Sequence, residues 1–327
     1  MKVAPTKAVN IIKVADCDHE SIDIERTVLH DVCADLPWLH CRTEDEVVAQ
    51  CADAVGLLVQ YAPMTRGVLS RLPKLRSIVR YGVGVDSIDL AAAAEKGIIV
   101  SNVPDYGTDE VSDHALALLL ALTRRIVVAN RSVRDGVWDY SALLPAHRLR
   151  TLTLGIVGLG RIGTALAAKA QALGLTIIAS DPYRAADGIP ASVRMVDLAE
   201  LLAISDLVSV HCPLTDETVN LLGEDAIRKM KRSACLVNTA RGRIVDEGAL
   251  DRALSEGRLA GAALDVFGNE PVSPDHPLLR HENFLCTPHM AWYSEESALE
   301  LKRKAAEELR RLVLNETPLY RVGQARV

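Results

Sequence analysis

The chain has 327 residues, of which 49% are hydrophobic and 24% charged, a composition typical of a folded globular protein. Disordered, collagen-like and coiled-coil chains are therefore excluded. The 43 acidic residues outnumber the 37 lysines and arginines, and the formal charge of −6 argues against a nucleic-acid backbone as the main partner.

The N-terminal residues, the apolar runs and the cysteines indicate the cellular compartment. The first 20 residues lack the long apolar segment of a secretory signal, and the charge-free runs elsewhere are too short to span a bilayer. The seven cysteines are odd in number and form no CxxC pair, which argues against a disulfide framework and a thiolate zinc site. We expect a soluble protein of a reducing, cytoplasmic compartment, with no membrane segment and no metal.

The first hundred residues predict a small α/β domain. Apolar runs near residues 11–15, 54–60 and 76–80 are typical of buried strands, and residues 44–52 have a helical pattern between the first two. Residues 108–127 form the next predicted helix, and its segment 115–122 is apolar on nearly every face. Such a segment is buried between domains or subunits, or it is a core helix within one chain.

From Leu152 onward, short apolar runs alternate with amphipathic helices, the pattern of βαβ units that build a parallel sheet. Length makes two domains the expectation. The predicted strands span residues 152–157, 175–180, 207–211, 234–238 and 260–266. The predicted helices span residues 161–173, 197–204, 224–230, 246–257 and 294–314. The last of these helices follows the alternating region and can return to the first domain.

A GxGxxG sequence lies between the predicted strand 152–157 and the predicted helix 161–173. It consists of Gly158, Leu159, Gly160, Arg161, Ile162 and Gly163. Its glycines permit a tight turn and let backbone N–H groups meet a pyrophosphate at the positive end of the helix. Asp181 ends the next strand, about 20 residues later, where a carboxylate binds the adenosine ribose and repels a 2′-phosphate. A glycine-rich turn without a ligand does not explain Asp181, so the pattern predicts NAD and favours it over NADP.

Three later strands are followed by polar residues, in segments 238–242, 265–271 and 287–289. Because ligands bind at the carboxyl ends of parallel strands, Arg241, Glu270 and His289 can converge beside the cofactor. Arg241 can hold a carboxylate, His289 can donate a proton at neutral pH, and Glu270 can orient the imidazole and favour its charged form. Taken singly, each has a plain alternative: a surface arginine, a loop carboxylate and a structural histidine.

Together these residues resemble the D-isomer-specific 2-hydroxyacid dehydrogenases, and the resemblance covers nearly the whole chain. The family's glycine-rich loop matches residues 158–163, its arginine matches Arg241 in NTARG, its glutamate matches Glu270 before a proline, and its acid/base histidine matches His289 in TPH. Segments 78–89 and 291–295 resemble more closely the C-terminal-binding-protein subgroup, in which the tryptophan after the histidine lines the substrate pocket. Trp292 is that residue here.

The resemblance implies an α/β fold with two doubly wound parallel-sheet domains, a Rossmann-type NAD-binding domain being inserted into a flavodoxin-like substrate-binding domain. The discontinuous substrate-binding domain is expected to comprise residues 1–101 and 293–327, and the NAD-binding domain residues 102–292. Members of the family are usually dimers joined through the NAD-binding domain, which the apolar segment 115–122 suits.

The resemblance also implies a wider set of site residues. Besides residues 158–163 and Asp181, the residues implied to contact NAD are Cys212, Pro213, Thr218, Thr239, Ala240, Arg241, Asp265 and His289. The substrate carboxylate is assigned to the side chain of Arg80 and the backbone of Val83 and Gly84. Gly268 and Asn269 depart from the family pattern, in which an acidic or bulkier residue is common, so the sequence leaves the rigidity of the loop near Glu270 open; neither residue replaces a catalytic group.

The expected function is NAD-dependent interconversion of a 2-oxo acid and a D-2-hydroxy acid by hydride transfer, with Arg241, Glu270 and His289 as the catalytic residues. Trp292 favours an apolar or thioether substrate side chain. A phosphoglycerate substrate is not expected, because Arg80 has no obvious cluster of further cations, nor is a regulatory domain, because the chain ends soon after its last helix. The alternative is an NADH-sensing dimeric binding protein of corepressor type, with little or no turnover.

Overall fold

The computed structural model describes residues 10–323, which fall into two compact units. The first unit comprises the chain up to Gly107 and the segment from Ser294 onward, and the second is Thr108–Tyr293. Each unit contains one sheet flanked by helices, and every strand pairing within the two sheets is parallel. The predicted α/β class with two parallel sheets is confirmed. Within the described residues, no helix is long and apolar enough to cross a membrane.

The sheet of the first unit has four strands in the order β1-β2-β3-β4. The strands are β1 (Ile12–Val14), β2 (Gly56–Val59), β3 (Ser77–Arg80) and β4 (Ile99–Ser101). The helices are α1 (Asp23–Leu29), α2 (Glu44–Cys51), α3 (Arg66–Ser70), α4 (Leu90–Glu95) and α11 (Glu295–Val313). A parallel bridge between Val14 and Trp38 adds a short extended segment on the free side of β1. The chain therefore runs outward from β1 and then back across it to β2, which is the doubly wound arrangement of flavodoxin-like sheets.

Local sequence explains where the main helices of this unit begin. Thr43 and Glu46 form a capping box that starts α2, and the Ser294 hydroxyl caps α11 by accepting from the Ser297 N–H. The apolar stripe of α11 includes Leu301 and Leu309, both of which are buried. The C-terminal helix thus completes the core of the unit that the N-terminal residues begin.

The second unit has a seven-stranded sheet in the order β11-β10-β9-β8-β5-β6-β7. The strands are β5 (Thr153–Val157), β6 (Thr176–Ser180), β7 (Val193–Met195), β8 (Leu207–Val210), β9 (Cys235–Asn238), β10 (Gly261–Leu264) and β11 (Phe284–Cys286). The helices are α5 (Thr108–Thr123), α6 (Ile126–Arg134), α7 (Arg161–Ala172), α8 (Leu198–Ile204), α9 (Glu224–Lys229) and α10 (Glu247–Ser255). The strand order reverses between β5 and β8, as in Rossmann folds, and leaves a crevice at the carboxyl ends of these strands.

Two helix predictions need correction. The helix expected over residues 108–127 ends at Thr123, because Arg125 adopts a left-handed conformation (φ 51°) and a separate helix starts at Ile126. Leu173, the last residue of the helix predicted over 161–173, follows the end of α7 and is 42% exposed. Within the apolar segment 115–122, Ala115 and Leu119 are packed in the core of the second unit, so this part is a core helix within the chain.

Candidate active site

The glycine-rich loop joins β5 to α7. Gly158 has φ 93°, and a Cβ atom there would lie 2.5 Å from the Cys212 backbone nitrogen. A Cβ on Gly163 would lie 2.2 Å from the Gly158 carbonyl oxygen. Gly160, the N-cap of α7, has ordinary dihedrals and no atom within 4 Å of an added Cβ. The fold itself thus requires the first and third glycines, whereas the second leaves open space at the N-terminus of a helix, where an anion is favoured.

Asp181 follows β6 and is tied to this loop. Its Oδ2 accepts a hydrogen bond from the Leu159 N–H at 2.8 Å, and its Oδ1 accepts from the Tyr183 N–H at 3.0 Å. The Leu159 side chain is fully buried. The backbone donor of Leu159 therefore serves to orient the Asp181 carboxylate, a role that the sequence did not reveal.

A cavity of about 1210 Å³ lies at the carboxyl ends of β5, β6 and β8. Six of the residues predicted to bind the cofactor share its wall: Gly158, Gly160, Asp181, Cys212, Pro213 and Thr218. His211 also lines it, and burial lowers the pKa of His211 to about 4, so this imidazole is neutral at physiological pH. The volume exceeds the roughly 300–1,000 Å³ of a drug-sized pocket and the walls combine apolar surface with a carboxylate, which fits the nucleotide part of NAD.

Arg241 lies just beyond β9, in a turn shaped by Asn238. The Asn238 side chain accepts from the Ala240 N–H at 3.0 Å and donates to the Arg241 carbonyl at 2.8 Å. Thr239 is buried, and its hydroxyl has no hydrogen-bond partner among the described residues. A buried hydroxyl of this kind costs free energy unless a ligand satisfies it. The end of β9 therefore also suits a polar group of a bound cofactor.

Glu270 and His289 follow β10 and β11 and are in direct contact. The His289 Nδ1 lies 2.6 Å from Glu270 Oε2, and Glu270 Oε1 accepts from the Phe267 N–H. Burial by itself raises the pKa of Glu270, but the hydrogen bond and charge of His289, helped by Phe267 and Arg241, outweigh it and lower this pKa below its ordinary value. Because the carboxylate is ionised, Nδ1 donates to it, and Nε2 is left to face a ligand.

The loop before Glu270 is held by a residue of another element, Glu247 of α10. The Gly268 N–H donates to Glu247 Oε1 at 2.6 Å, and Glu247 Oε2 is 3.0 Å from His276 Nε2. Glu247 opens α10, far from the loop in sequence, and no local signal points to it. The contact with Glu247 fixes the backbone at Gly268, in the loop whose rigidity the sequence leaves open.

Asp265 is almost completely buried at the end of β10. Its Oδ1 accepts from the Met290 N–H at 3.0 Å, and its Oδ2 accepts from the Ala291 N–H at 2.9 Å. The Asp265 carbonyl accepts from the His289 N–H at 2.8 Å, and His289 adopts a left-handed conformation, φ 52°. Asp265 therefore anchors the segment that carries the histidine, in addition to any contact with a cofactor.

The predicted substrate residues fall in both units. In the first unit, Arg80 ends β3, and its guanidinium crosses Gly82 so closely that a Cβ on Gly82 would lie 1.9 Å from Nη1. Gly84 follows Val83, which is 41% exposed and whose carbonyl accepts from the Asn102 side chain. In the second unit, the ring of Trp292 packs edge-to-face on Tyr293. Across the described part of the chain, no group of three or more histidine, cysteine, aspartate or glutamate side chains is arranged to hold a metal ion.

Comparison with known proteins shows the family to which the chain is similar. A family model described as the NAD-binding domain of D-isomer-specific 2-hydroxyacid dehydrogenases matches residues 116–291. A glyoxylate reductase of Korarchaeum cryptofilum is 43% identical over 283 residues, which are 85% of each chain. A D-3-phosphoglycerate dehydrogenase of Archaeoglobus fulgidus is 42% identical over 74% of this chain but only 46% of its own length.

Solved structures extend the likeness to the whole fold. A D-lactate dehydrogenase of Aquifex aeolicus, complexed with NAD and lactic acid, has a TM-score of 0.87 and 29% identity over 97% of this chain and 100% of its own. An acyclic imino acid reductase in complex with NADPH and D-Arg has a TM-score of 0.87 and 26% identity over 95% of this chain and 99% of its own. The expected NAD cofactor is confirmed by the family match.

Proposed function

Because this chain belongs to the D-isomer-specific 2-hydroxyacid dehydrogenase family, we propose that it reversibly reduces a 2-oxo acid to a D-2-hydroxy acid with NADH. The observation that carries the proposal is the contact between His289 and Glu270 at the carboxyl ends of neighbouring strands. An imidazole whose Nδ1 donates to an ionised carboxylate presents Nε2 to the substrate in a defined orientation.

The residues divide the chemistry among them. NADH, when bound, supplies the hydride that reduces the carbonyl carbon. Arg241 binds the substrate carboxylate and polarises the carbonyl, since a guanidinium makes paired contacts with planar oxyanions. His289 gives its Nε2 proton to the carbonyl oxygen, and Glu270 keeps the ring oriented and stabilises its charged form. In the opposite direction, His289 takes the proton from the hydroxy acid.

We assign the second unit to NAD binding and the first unit, built on β1 to β4, to substrate binding. The residues proposed to hold the cofactor are Gly158, Leu159, Gly160, Arg161, Ile162, Gly163, Asp181, Cys212, Pro213, Thr218, Thr239, Ala240, Arg241, Asp265 and His289. The cavity wall beside Asp181 also carries Asp216 and Glu217. These carboxylates support a preference for NAD, since a 2′-phosphate would meet like charge there.

For the substrate, we propose that Arg80 and the backbone of Val83 and Gly84 contact the carboxylate and that Trp292 contacts the side chain. The motifs at residues 78–89 and 291–295 support membership of the C-terminal-binding-protein subgroup. A large indole offers apolar surface, which favours an apolar or thioether side chain over a charged one.

We further propose a cytoplasmic homodimer joined through the second unit. After α6 that unit exposes a row of large apolar side chains: Val137 (51%), Trp138 (89%), Tyr140 (75%) and Leu144 (57%). Large apolar side chains that are exposed close together in sequence support an interaction site in this segment. The cysteines of the described chain are all free, five of them buried, which suits a reducing compartment.

The test is NADH oxidation by the purified protein with glyoxylate, pyruvate, and branched-chain, aromatic and methylthio-substituted 2-oxo acids. Turnover that yields the D-isomer supports the dehydrogenase, and the ranking of side chains tests the assignment of Trp292. Tight NADH binding without turnover on any substrate would favour the NADH-sensing binding protein instead. Failure to bind NADH would overturn both functions.

A further inference from the structure

A second histidine of the second unit is connected to the segment that carries His289. His114, on α5, places its Nε2 2.9 Å from the Thr287 hydroxyl. The same hydroxyl lies 2.5 Å from Asp265 Oδ1, and His114 Nε2 is 3.7 Å from that oxygen. The side chain of His114 is 20% exposed and that of Asp265 only 1%. An imidazole on a helix thus reaches, through one hydroxyl, a buried carboxylate.

The direction of these hydrogen bonds follows from which of the groups has a proton to donate. Asp265 accepts from two backbone N–H groups, those of Met290 and Ala291, so its oxygens act as acceptors. The single proton of Thr287 therefore points to Asp265, and the Thr287 oxygen must accept from His114. This assigns the proton of His114 to Nε2.

The series of hydrogen bonds that starts at His114 ends at residues 289–291, the segment that carries His289. Met290 and Ala291 directly follow His289, whose own N–H donates to the Asp265 carbonyl. His289 has φ 52°, a conformation that L-residues adopt only when their surroundings enforce it. Each bond that fixes Asp265 therefore helps to hold His289 in this conformation.

We propose that His114 is a positioning residue for the reaction: through Thr287 and Asp265 it holds the 289–291 backbone in the conformation that aims His289. The catalytic consequence rests on the proposed function, whereas the structural coupling does not. The hydrogen bond and the ion pair described for His114 go to Thr287 and Asp265, so its influence on His289 passes through these intervening groups.

A double-mutant cycle tests the proposal. His114→Leu and Thr287→Val should each lower kcat about 10- to 100-fold, because small displacements of a reacting group are costly, while KM and the NADH Kd change less than about threefold. The double variant should be no slower than the slower single variant, because the two substitutions interrupt the same series of hydrogen bonds. His114→Gln and Thr287→Ser, which keep a donor and a hydroxyl, should restore most of the activity. Multiplying losses in the double variant would overturn the proposal.

Matched controls separate coupling from general damage. His281→Leu removes a histidine paired with Asp251 in the same unit, and Thr123→Val removes a hydroxyl at the far end of α5. Both should keep the activity of the unmodified protein. Thermal unfolding measured on every variant confirms that each is folded, and where Thr287→Val does not fold, the cycle is run with Thr287→Ala.

A measurement without turnover distinguishes failure of this inference from failure of the proposed function. In ¹⁵N-histidine NMR spectra of the protein without substrate, His114 should be the Nε2–H tautomer, and His114→Leu should shift the ring signals of His289. If these shifts occur in a protein that reduces no 2-oxo acid, the coupling stands and the proposed function falls. If the His289 signals do not change in an active enzyme, the coupling falls.

Discussion

At the scale of single residues, His289 is held from two directions. Its ring is oriented by Glu270, and its backbone is fixed by Asp265. A general acid must present one nitrogen in one place, so this double restraint is what proton transfer to a carbonyl oxygen requires. The two carboxylates act differently. Glu270 determines which nitrogen of the His289 ring faces the substrate, whereas Asp265 fixes the backbone conformation of His289.

Replacement of His289 by Gln removes the proposed proton donor and changes no residue that lines the cofactor cavity. We expect turnover to fall by about two to four orders of magnitude, the usual contribution of general acid catalysis, with a much smaller change in NADH affinity, because glutamine keeps a hydrogen-bond donor at the cofactor contact proposed for His289. Steady-state kinetics and NADH fluorescence titration measure the two quantities. His281→Gln is the matched control and should remain fully active. A His289→Gln enzyme of normal rate would remove His289 from this role.

Asp181 combines a negative charge with acceptors for two backbone N–H groups, those of Leu159 and Tyr183. Asp181→Asn removes the charge and keeps one side-chain oxygen, which can still accept from the Leu159 N–H, while the amide nitrogen takes the place of the oxygen that accepts from Tyr183. Because like charges brought together cost up to several kcal/mol, the ratio of kcat/KM for NADPH to that for NADH should rise at least about tenfold. Asp225→Asn, on the exposed side of α9, should leave the ratio unchanged. An unaltered ratio in Asp181→Asn would place cofactor selectivity elsewhere.

At the scale of elements, the glycines of the β5–α7 turn have different roles: Gly163 permits close packing, and Gly160 leaves space for a ligand. Two variants distinguish these roles. Gly163→Ala puts a methyl group against the Gly158 carbonyl, so we expect a loss of about 1–3 kcal/mol in the free energy of unfolding. Gly160→Ala has room in the protein and should unfold normally, yet weaken NADH binding, because its methyl points into the space left for the ligand. Denaturant unfolding and NADH titration measure both effects. Equal stabilities of the two variants would contradict this account.

The same element scale shows what the sequence can predict. The central strands β5, β6 and β8 to β10 and the helices between them were predicted within about two residues, because each has an apolar run bounded by a capping or turn residue. Strands β4 and β7 have three residues each, too few to display a period, whereas the equally short β1 lies within the apolar run 11–15, and β11 is indicated by the polar segment 287–289 that follows it. The break at Arg125 was missed because a left-handed arginine leaves no mark in the apolar pattern.

The candidate site also has some features that the sequence predicts and others that it does not. The glycine-rich turn and Asp181 are recognisable because a ligand or a tight turn dictates the residue type at a fixed spacing along one βαβ unit. His114 and Thr287 are 173 positions apart, and Glu247 reaches Gly268 from another helix. Such contacts exist only after the sheet has brought distant segments together, so no local pattern announces them.

At the scale of the whole molecule, the exposed apolar row after α6 predicts the state of assembly. Trp138 is 89% exposed, and a solvated indole beside Val137 and Tyr140 is unfavourable unless another surface covers it. In a symmetric dimer the same patch meets itself, so a change at one position acts twice in the interface. Light scattering after gel filtration should therefore give twice the chain mass.

Trp138→Asp together with Tyr140→Asp should shift that mass to a single chain, because two buried carboxylates on each side of the interface would repel and lose hydration. Leu319→Asp, a change at a 63% exposed leucine of the first unit, should leave the dimer intact. If the protein is monomeric before any change, or if the double variant stays dimeric, the row after α6 does not form the interface. Turnover by a monomeric variant would further show that each chain holds a complete set of catalytic residues.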